Sequence, residues 1–165
     1  MFLSGKNIFL SAVLPSDTDL LYKWENDKAN WEVSGTKKPF TQKEISDFIS
    51  NQKDIYLDKQ LRLMICLLSS AKSKNAIGCI DLFEFDETKS KAGIGILIDK
   101  KHRKNGYASE ALTLLIKYSF EILNLTELFC HISEDNKSSL KLFKKQKFMV
   151  IEKNKNICSL RLLNK

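Results

Sequence analysis

The stretch Ile96-Leu97-Ile98-Asp99-Lys100-Lys101-His102-Arg103-Lys104-Asn105-Gly106-Tyr107-Ala108 passes from an apolar strand into a basic, glycine-containing turn and then into a long amphipathic helix. A helix start leaves its first backbone N–H groups without partners and gathers partial positive charge. The turn at Arg103 can therefore cradle an anion such as a diphosphate through main-chain donors. Gly106 lets the backbone approach a ligand closely, and Lys100, Lys101, Arg103 and Lys104 add charge. On this stretch alone, a solvated connection and an anion cradle are equal readings.

The chain has 165 residues, 43% of them hydrophobic, which suits a single domain spanning 1–165 with one buried core. No apolar run approaches the roughly 20 residues of a membrane span, and the first residues lack the charged-then-apolar order of a signal peptide. The reading is a cytoplasmic protein without a membrane partner. Cys66, Cys79, Cys130 and Cys158 lie singly in apolar, strand-like runs, so they read as buried reduced thiols and not as a zinc or redox motif. His102 and His131 have no ligand-spaced partner; no metal is expected, and His131 reads as an interior histidine. The net charge of +7 comes mainly from scattered lysines, with Arg62, Arg103 and Arg161 the only arginines. With no aromatic-interleaved basic stripe, a specific nucleic-acid partner is disfavoured.

Residues 7–14 read as a strand, closed by Pro15-Ser16-Asp17, where Asp17 can cap a helix carrying Leu20, Leu21 and Trp24. Residues 31–40 read as a loop. Thr41-Gln42-Lys43-Glu44 is a capping-box pattern ahead of Ile45, Phe48 and Ile49. Residues 60–70 and 76–85 read as a hairpin turning at Ser73-Lys74-Asn75, and residues 91–98 as a third strand interrupted by Gly93 and Gly95. Glycines within a strand mark a bulge or a close approach. Ala108, Ala111, Leu112, Leu115, Ser119 and Ile122 form a helical stripe that should pack on the sheet. A strand over 125–132, a short helix around Leu140 and Phe143, and a hairpin turning at Asn154-Lys155-Asn156 complete the order.

Two elements together resemble the GNAT superfamily of acyl-CoA-dependent N-acyltransferases. Arg103-Lys104-Asn105-Gly106-Tyr107-Ala108 is similar to its R/Q-x-x-G-x-G/A phosphate turn. Asn136-Lys137-Ser138-Ser139-Leu140-Lys141-Leu142-Phe143 is similar to its N-x-x-A/S-x-x-x-Y/F element. Gly78-Cys79-Ile80-Asp81-Leu82, Lys91-Ala92-Gly93-Ile94 and Tyr107-Ala108-Ser109-Glu110-Ala111-Leu112 resemble the branch of spermidine and ribosomal-protein N-terminal acetyltransferases. The resemblance implies an α+β fold: a mostly antiparallel, splayed sheet of about seven strands flanked by about four helices.

It also implies an acetyl-CoA-dependent N-acetyltransferase, an acyltransferase that does not move aminoacyl groups. Acetyl-CoA would be the co-substrate, and the acceptor a polyamine, another small primary amine or a protein N-terminus. A homodimer is compatible with the sequence. The diphosphate would lie on the amides of Arg103, Lys104, Asn105, Gly106, Tyr107, Ala108 and Ser109, and the pantetheine arm along Ile96, Leu97 and Ile98. Asn136, Ser139 and Phe143 would complete the cofactor site. Lys144 and Lys145 offer charge to the ribose phosphate, or a plain solvated helix face.

An acceptor amine of pKa near 10 is ~3 units from neutrality, so deprotonation adds about 4 kcal/mol unless a base takes the proton. Glu84 and Asp81 are the candidate bases, with surface acids as the alternative, and a backbone N–H near Leu97 is the candidate oxyanion donor. Trp31, Glu32 and Glu84 would hold the acceptor, with Trp24 nearby; core and loop-anchor roles remain open for the tryptophans. Two departures from the family pattern stand out: Phe143 replaces a tyrosine that protonates the leaving thiolate, and Lys147 replaces a helix-ending glycine. Phe143 motivates one alternative, a non-catalytic acyl-CoA-binding module. A nucleic-acid binder is a weaker one.

Overall fold

A computed structural model describes residues 2–28, 30, 38–68 and 75–164. They form two compact units, one made of residues up to Ala12 together with Asp54 onward, the other of Val13–Lys53.

The first unit carries one eight-stranded sheet. Its strands are β1 (Phe2–Ser4), β2 (Ile8–Ala12), β3 (Leu61–Leu67), β4 (Ala76–Asp86), β5 (Lys91–Ile98), β6 (Glu127–Ser133), β7 (Met149–Asn154) and β8 (Ile157–Leu163). They lie in the order β1-β2-β3-β4-β5-β6-β8-β7, antiparallel throughout except for the parallel pair β5–β6. That one parallel contact is a consequence of the long helix α4 (Tyr107–Glu121), since a crossover helix returns the chain to the same end of the sheet. The short helix α3 (Ile55–Asp58) precedes β3, and α5 (Lys137–Lys145) lies between β6 and β7. The hairpin residues Ser73 and Lys74 lie outside the described residues.

Apolar residues of the strands build the core, in consecutive buried runs on β3 and β4 and in alternation on β6. Leu63, Ile80, Leu82, Ile94, Leu128 and Leu160 are at most 1% exposed and share one cluster with Leu112 and Leu115 of α4 and with Leu140 and Phe143 of α5. The helix stripe holds at Ala111, Leu112, Leu115 and Ser119, and Tyr118 joins it. Ile122 does not: it follows the last helical residue and is 62% exposed.

The second unit contains a 3₁₀ turn (Pro15–Asp17), α1 (Thr18–Glu25) and α2 (Gln42–Asn51). Asp17 stands at the N-cap position of α1, yet its carboxylate turns back to accept the Leu14 N–H at 2.8 Å. The capping box of α2 forms as the pattern requires, with Glu44 N–H donating to Thr41 Oγ1 at 3.1 Å and Thr41 N–H to the Glu44 carboxylate at 2.7 Å. Ile45 and Ile49 are buried behind it, and Phe48 is half-buried. Trp24 is 4% exposed, which favours a core role.

The described residues thus hold eight strands and five α-helices where the sequence suggests about seven and four. The additions are β1, of three residues, and α3, of four, both too short to carry a period.

Candidate active site

Pairing between β5 and β6 runs only from Lys91↔Glu127 to Gly93↔Phe129. Beyond it β6 continues on β8 as far as Ser133↔Ile157, while β5 continues on β4 as far as Ile98↔Gly78. The two middle strands therefore part, opening a wedge towards the C-terminal end of β5.

The β4–β5 register is unbroken from Gly78↔Ile98 to Phe83↔Gly93, and Asp99 N–H donates to Ile77 C=O at 2.8 Å. In an antiparallel ladder alternate residues exchange both bonds with the partner strand. Gly93, Gly95 and Leu97 thus spend their backbone groups on β4, and Ile94, Ile96 and Ile98 turn theirs to the β6 side, those of Ile96 and Ile98 lying past the last pairing, in the wedge. The same parity places the Ser90 carbonyl towards β6, where it accepts Thr126 N–H at 2.7 Å. The expected donor near Leu97 is narrowed accordingly: the N–H of Leu97 itself points into the ladder, and those of Ile96 and Ile98 face the gap.

The wedge opens onto the basic turn. A 3₁₀ turn over Lys100–His102 is held by Lys101 N–H donating to Asp99 Oδ1 at 3.0 Å. Arg103 is partly structural, its Nε donating to the Ile98 carbonyl at 2.9 Å, and the Asn105 side chain donates to the carbonyls of His102 and Arg103, each at 3.1 Å. Lys104 and Gly106 both adopt left-handed conformations (φ 64 and 83), which fold the chain sharply into α4. No side chain caps α4, and a Cβ at Gly106 would meet nothing within 4 Å. The first-turn N–H groups at Tyr107, Ala108 and Ser109 thus have no side-chain cap, and the space beside Gly106 is open. Exposed Lys100, Lys101, Arg103 and Lys104 surround them.

Gln146, with no sequence signal to mark it, ties α5 to this turn: its Nε2 donates to the Ser109 carbonyl at 3.0 Å and lies 3.1 Å from both Ser109 Oγ and Thr113 Oγ1. Exposed Lys145 stands beside it. Asn136 and Ser139 are at the other end of α5, about 15 Å along the axis for Asn136. There Asn136 Oδ1 caps the helix by accepting Ser139 N–H at 3.1 Å. Lys144 lines a cavity of ≈ 380 Å³ with Glu134, Lys137, Lys141 and Lys153. Phe143 is corrected from a cofactor contact to a core residue, since it is 3% exposed and meets Phe148 edge to face at 5.1 Å.

The acidic candidates divide. Asp81 takes both Arg62 Nε (2.7 Å) and Nη2 (3.1 Å) on its carboxylate, an ion pair with side chains 21% and 23% exposed, so it is corrected from a free base to a paired one. Glu84 is exposed in a left-handed conformation (φ 49), at the irregularity where β4 slips against β5. Trp31 and Glu32 lie outside the described residues. His131 is exposed on β6, contrary to its reading as interior, with Nδ1 3.1 Å from Ser159 Oγ. All four cysteines are buried and outside any disulfide, and burial pushes the Cys130 thiol up to about 12, far from a thiolate at neutral pH. Among the described residues no cluster of His, Cys, Asp and Glu could hold a metal ion, and no helix is long and apolar enough to cross a membrane.

A family model for the acetyltransferase (GNAT) domain matches residues 7–149. The chain belongs to the GNAT family. This GNAT chain is 30% identical to the spermidine N(1)-acetyltransferase of Vibrio cholerae over 76 residues, 46% of this chain and 44% of that protein. It therefore matches less than half the length of that relative. It is 28% identical to the N-acetyltransferase p20 of Bacillus licheniformis, an uncharacterized protein, over 134 residues, 80% of this chain and 73% of that one. The crystal structure of spermidine N-acetyltransferase from Vibrio cholerae, in complex with CoA and spermine, superposes with a TM-score of 0.83 at 19% identity, covering 94% of this chain and 95% of that one. A GNAT-family acetyltransferase from Bacillus anthracis gives 0.80 at 15% identity, covering 99% and 98%. The α+β fold of the family is thus shared over nearly the whole chain. The residues fit an acyl-CoA: an open strand edge for the arm's two amides, and an uncapped, glycine-led helix start, open beside Gly106, for the diphosphate.

Proposed function

We propose that this chain is an acetyl-CoA-dependent N-acetyltransferase acting on a primary amine, with residues 1–165 working as one acetyltransferase domain. The observation that carries the reading is the wedge between β5 and β6 opening directly onto the uncapped start of α4. Acetyl-CoA, when bound, supplies an acetyl group already activated as a thioester.

The chain's own part is to bind and orient. Ile96 offers its N–H and C=O and Ile98 its N–H to the arm, as a sheet edge offers them to an added strand, while the Ile98 carbonyl already accepts from Arg103 Nε. Residues 103–109 hold the diphosphate through amides and nearby lysines, and Lys145 adds charge beside them. An N–H of Ile96 or Ile98 stabilises the oxygen that gains charge during attack. With Phe143 buried, no aromatic hydroxyl meets the leaving sulfur there. An ordinary thiol pKa of about 8.5 makes unassisted departure tolerable near neutral pH. The similarity to spermidine acetyltransferases supports a polyamine or another alkyl amine as acceptor, and a protein N-terminus is the other class in that branch. Buried cysteines outside any disulfide suit a reducing compartment such as the cytoplasm.

The test is thiol release from acetyl-CoA in the presence of spermidine, spermine, a simple alkyl amine and a short peptide with a free N-terminus. Sustained release that requires an amine is the expected result. Calorimetric binding without release would favour the acyl-CoA-binding module that Phe143 suggests, and absence of binding overturns both.

A further inference from the structure

One face of the sheet carries a row of polar residues that crosses the wedge. Arg62 of β3 stands opposite Asp81 of β4, Asp81 opposite Gly95 of β5, and beyond the gap His131 of β6 stands opposite Ser159 of β8. The neighbouring row is closed by aromatic rings. Phe83 lies across Gly93, where any Cβ would collide with its ring, and meets Phe129 edge to face at 5.7 Å. Gly95 and His131 each stand two residues past the last paired residues, Gly93 and Phe129. They therefore flank the mouth of the wedge on the face shared with Phe83 and Asp81. A Cβ at Gly95 would lie 3.8 Å from Phe83 Cε1 and 4.0 Å from Asp81 Oδ2, so that side of the gap is lined but not filled.

The groups able to take a proton there differ in what already holds them. Both oxygens of Asp81 are occupied by Arg62. Glu84 stands in the β4 irregularity, past the aromatic row and away from the open end. His131 is exposed, its ring 5.6 Å from that of Phe129, and its Nδ1 has a partner in Ser159 Oγ. An imidazole both takes and releases protons near neutral pH, which ordinary carboxylates and amines do not.

We infer that His131 is the general base of the transfer and that Ser159 is its positioning residue, an inference that rests on the acetyltransferase reading above. Nδ1–H donates to Ser159 Oγ, which fixes the tautomer and leaves the Nε2 lone pair towards the wedge. Nε2 takes one proton from the acceptor ammonium. The freed nitrogen lone pair forms the C–N bond at the thioester carbon, the C–S bond breaks, and the departing sulfur keeps its electron pair. That thiolate takes the second proton from nitrogen, giving amide and thiol, and Nε2 releases the first proton to water.

Two measurements test this on the intact protein. Steady-state kinetics on His131→Ala, His131→Gln and Ser159→Ala should show kcat lowered about 100-fold or more in the His131 variants. KM for acetyl-CoA should stay within about twofold, and added imidazole should restore part of the rate of His131→Ala. Ser159→Ala should lose less, about tenfold. Long-range 1H–15N NMR of the protein without acetyl-CoA, which has only two histidines, reads the tautomer directly. His131 should carry its proton on Nδ1, and Ser159→Ala should give a mixed population. Unimpaired turnover in both His131 variants, or an Nε2–H tautomer in the unmodified protein, overturns the role of His131 and leaves the acetyltransferase reading intact. No amine-dependent thiol release by the unmodified protein overturns both.

Discussion

A carboxylate that accepts two bonds from one guanidinium has little left to give a substrate, and the Arg62–Asp81 pair makes this testable. Replacing Arg62 by Leu leaves a half-buried charge without its partner and should cost about 1–3 kcal/mol in denaturant unfolding. Asp81→Asn should lose stability on a similar scale while its kcat falls far less than that of His131→Ala; a comparable fall would return Asp81 to the role of base. Gly93 shows what a residue-level reading can and cannot supply. A glycine inside a strand signals that something passes close, but its neighbour is the Phe83 ring, and the irregularity lies on β4 at Glu84. The pairing that brings Phe83 over Gly93 is not written in either residue. Gly93→Ala should therefore destabilise by about 1–3 kcal/mol through overpacking, read as a lower unfolding midpoint. Lys147 was legible as a misfit at a helix end, and it does adopt a left-handed conformation (φ 67). Its N–H donates to Lys144 C=O at 2.9 Å, and Phe148 N–H to Phe143 C=O at 3.1 Å. Lys147→Gly should raise stability by about 1 kcal/mol, measured by thermal or chemical unfolding.

Between elements, the first turn of α4 is joined to the β1–β2 hairpin by Glu110. Its carboxylate accepts the Asn7 N–H at 2.8 Å, the Asn7 side-chain amide at 2.9 Å, and the N–H groups of Lys6 and Ile8. Desolvation alone would raise its pKa, but these donors outweigh it and hold the folded value below the ordinary one. A lowered folded pKa means the contribution is fully present above the unfolded value and is lost as pH falls through the folded one. Glu110→Gln should thus be about 1–3 kcal/mol less stable than the unmodified protein at pH 7, the gap shrinking below about pH 4. A gap independent of pH would sink this account. The helix itself was legible from its stripe; Glu110 was not, because a single acid in a first turn also suits the helix dipole and names no distant partner. Ile122 departs from the stripe for a related reason, since periodicity runs on past the point where hydrogen bonding stops.

For the molecule as a whole, the order of strands and helices could be followed along the chain because caps, turns and changes of period punctuate it. Which backbone groups face the wedge could not, since shifting parity by one residue exchanges Leu97 for Ile96, and only pairing with β4 decides it. The wedge also leaves two strands of one sheet with half their edge unpaired, which a ligand lying between them would complete. Coenzyme A should accordingly raise the melting temperature in a concentration-dependent way, by the equivalent of about 2.7 kcal/mol at a hundredfold excess over Kd. An unchanged melting temperature across that range would speak against any ligand of this class.

At the uncapped beginning of α4, the atoms proposed to grip a diphosphate belong to the main chain and are common to almost every amino acid, so such a grip can survive wide drift in the letters around it. A survey that trims side chains one at a time would pass over it with little trace. Exchanging a single peptide link at Ala108 for an ester, which deletes the donor and spares every side group, is the kind of change it would feel.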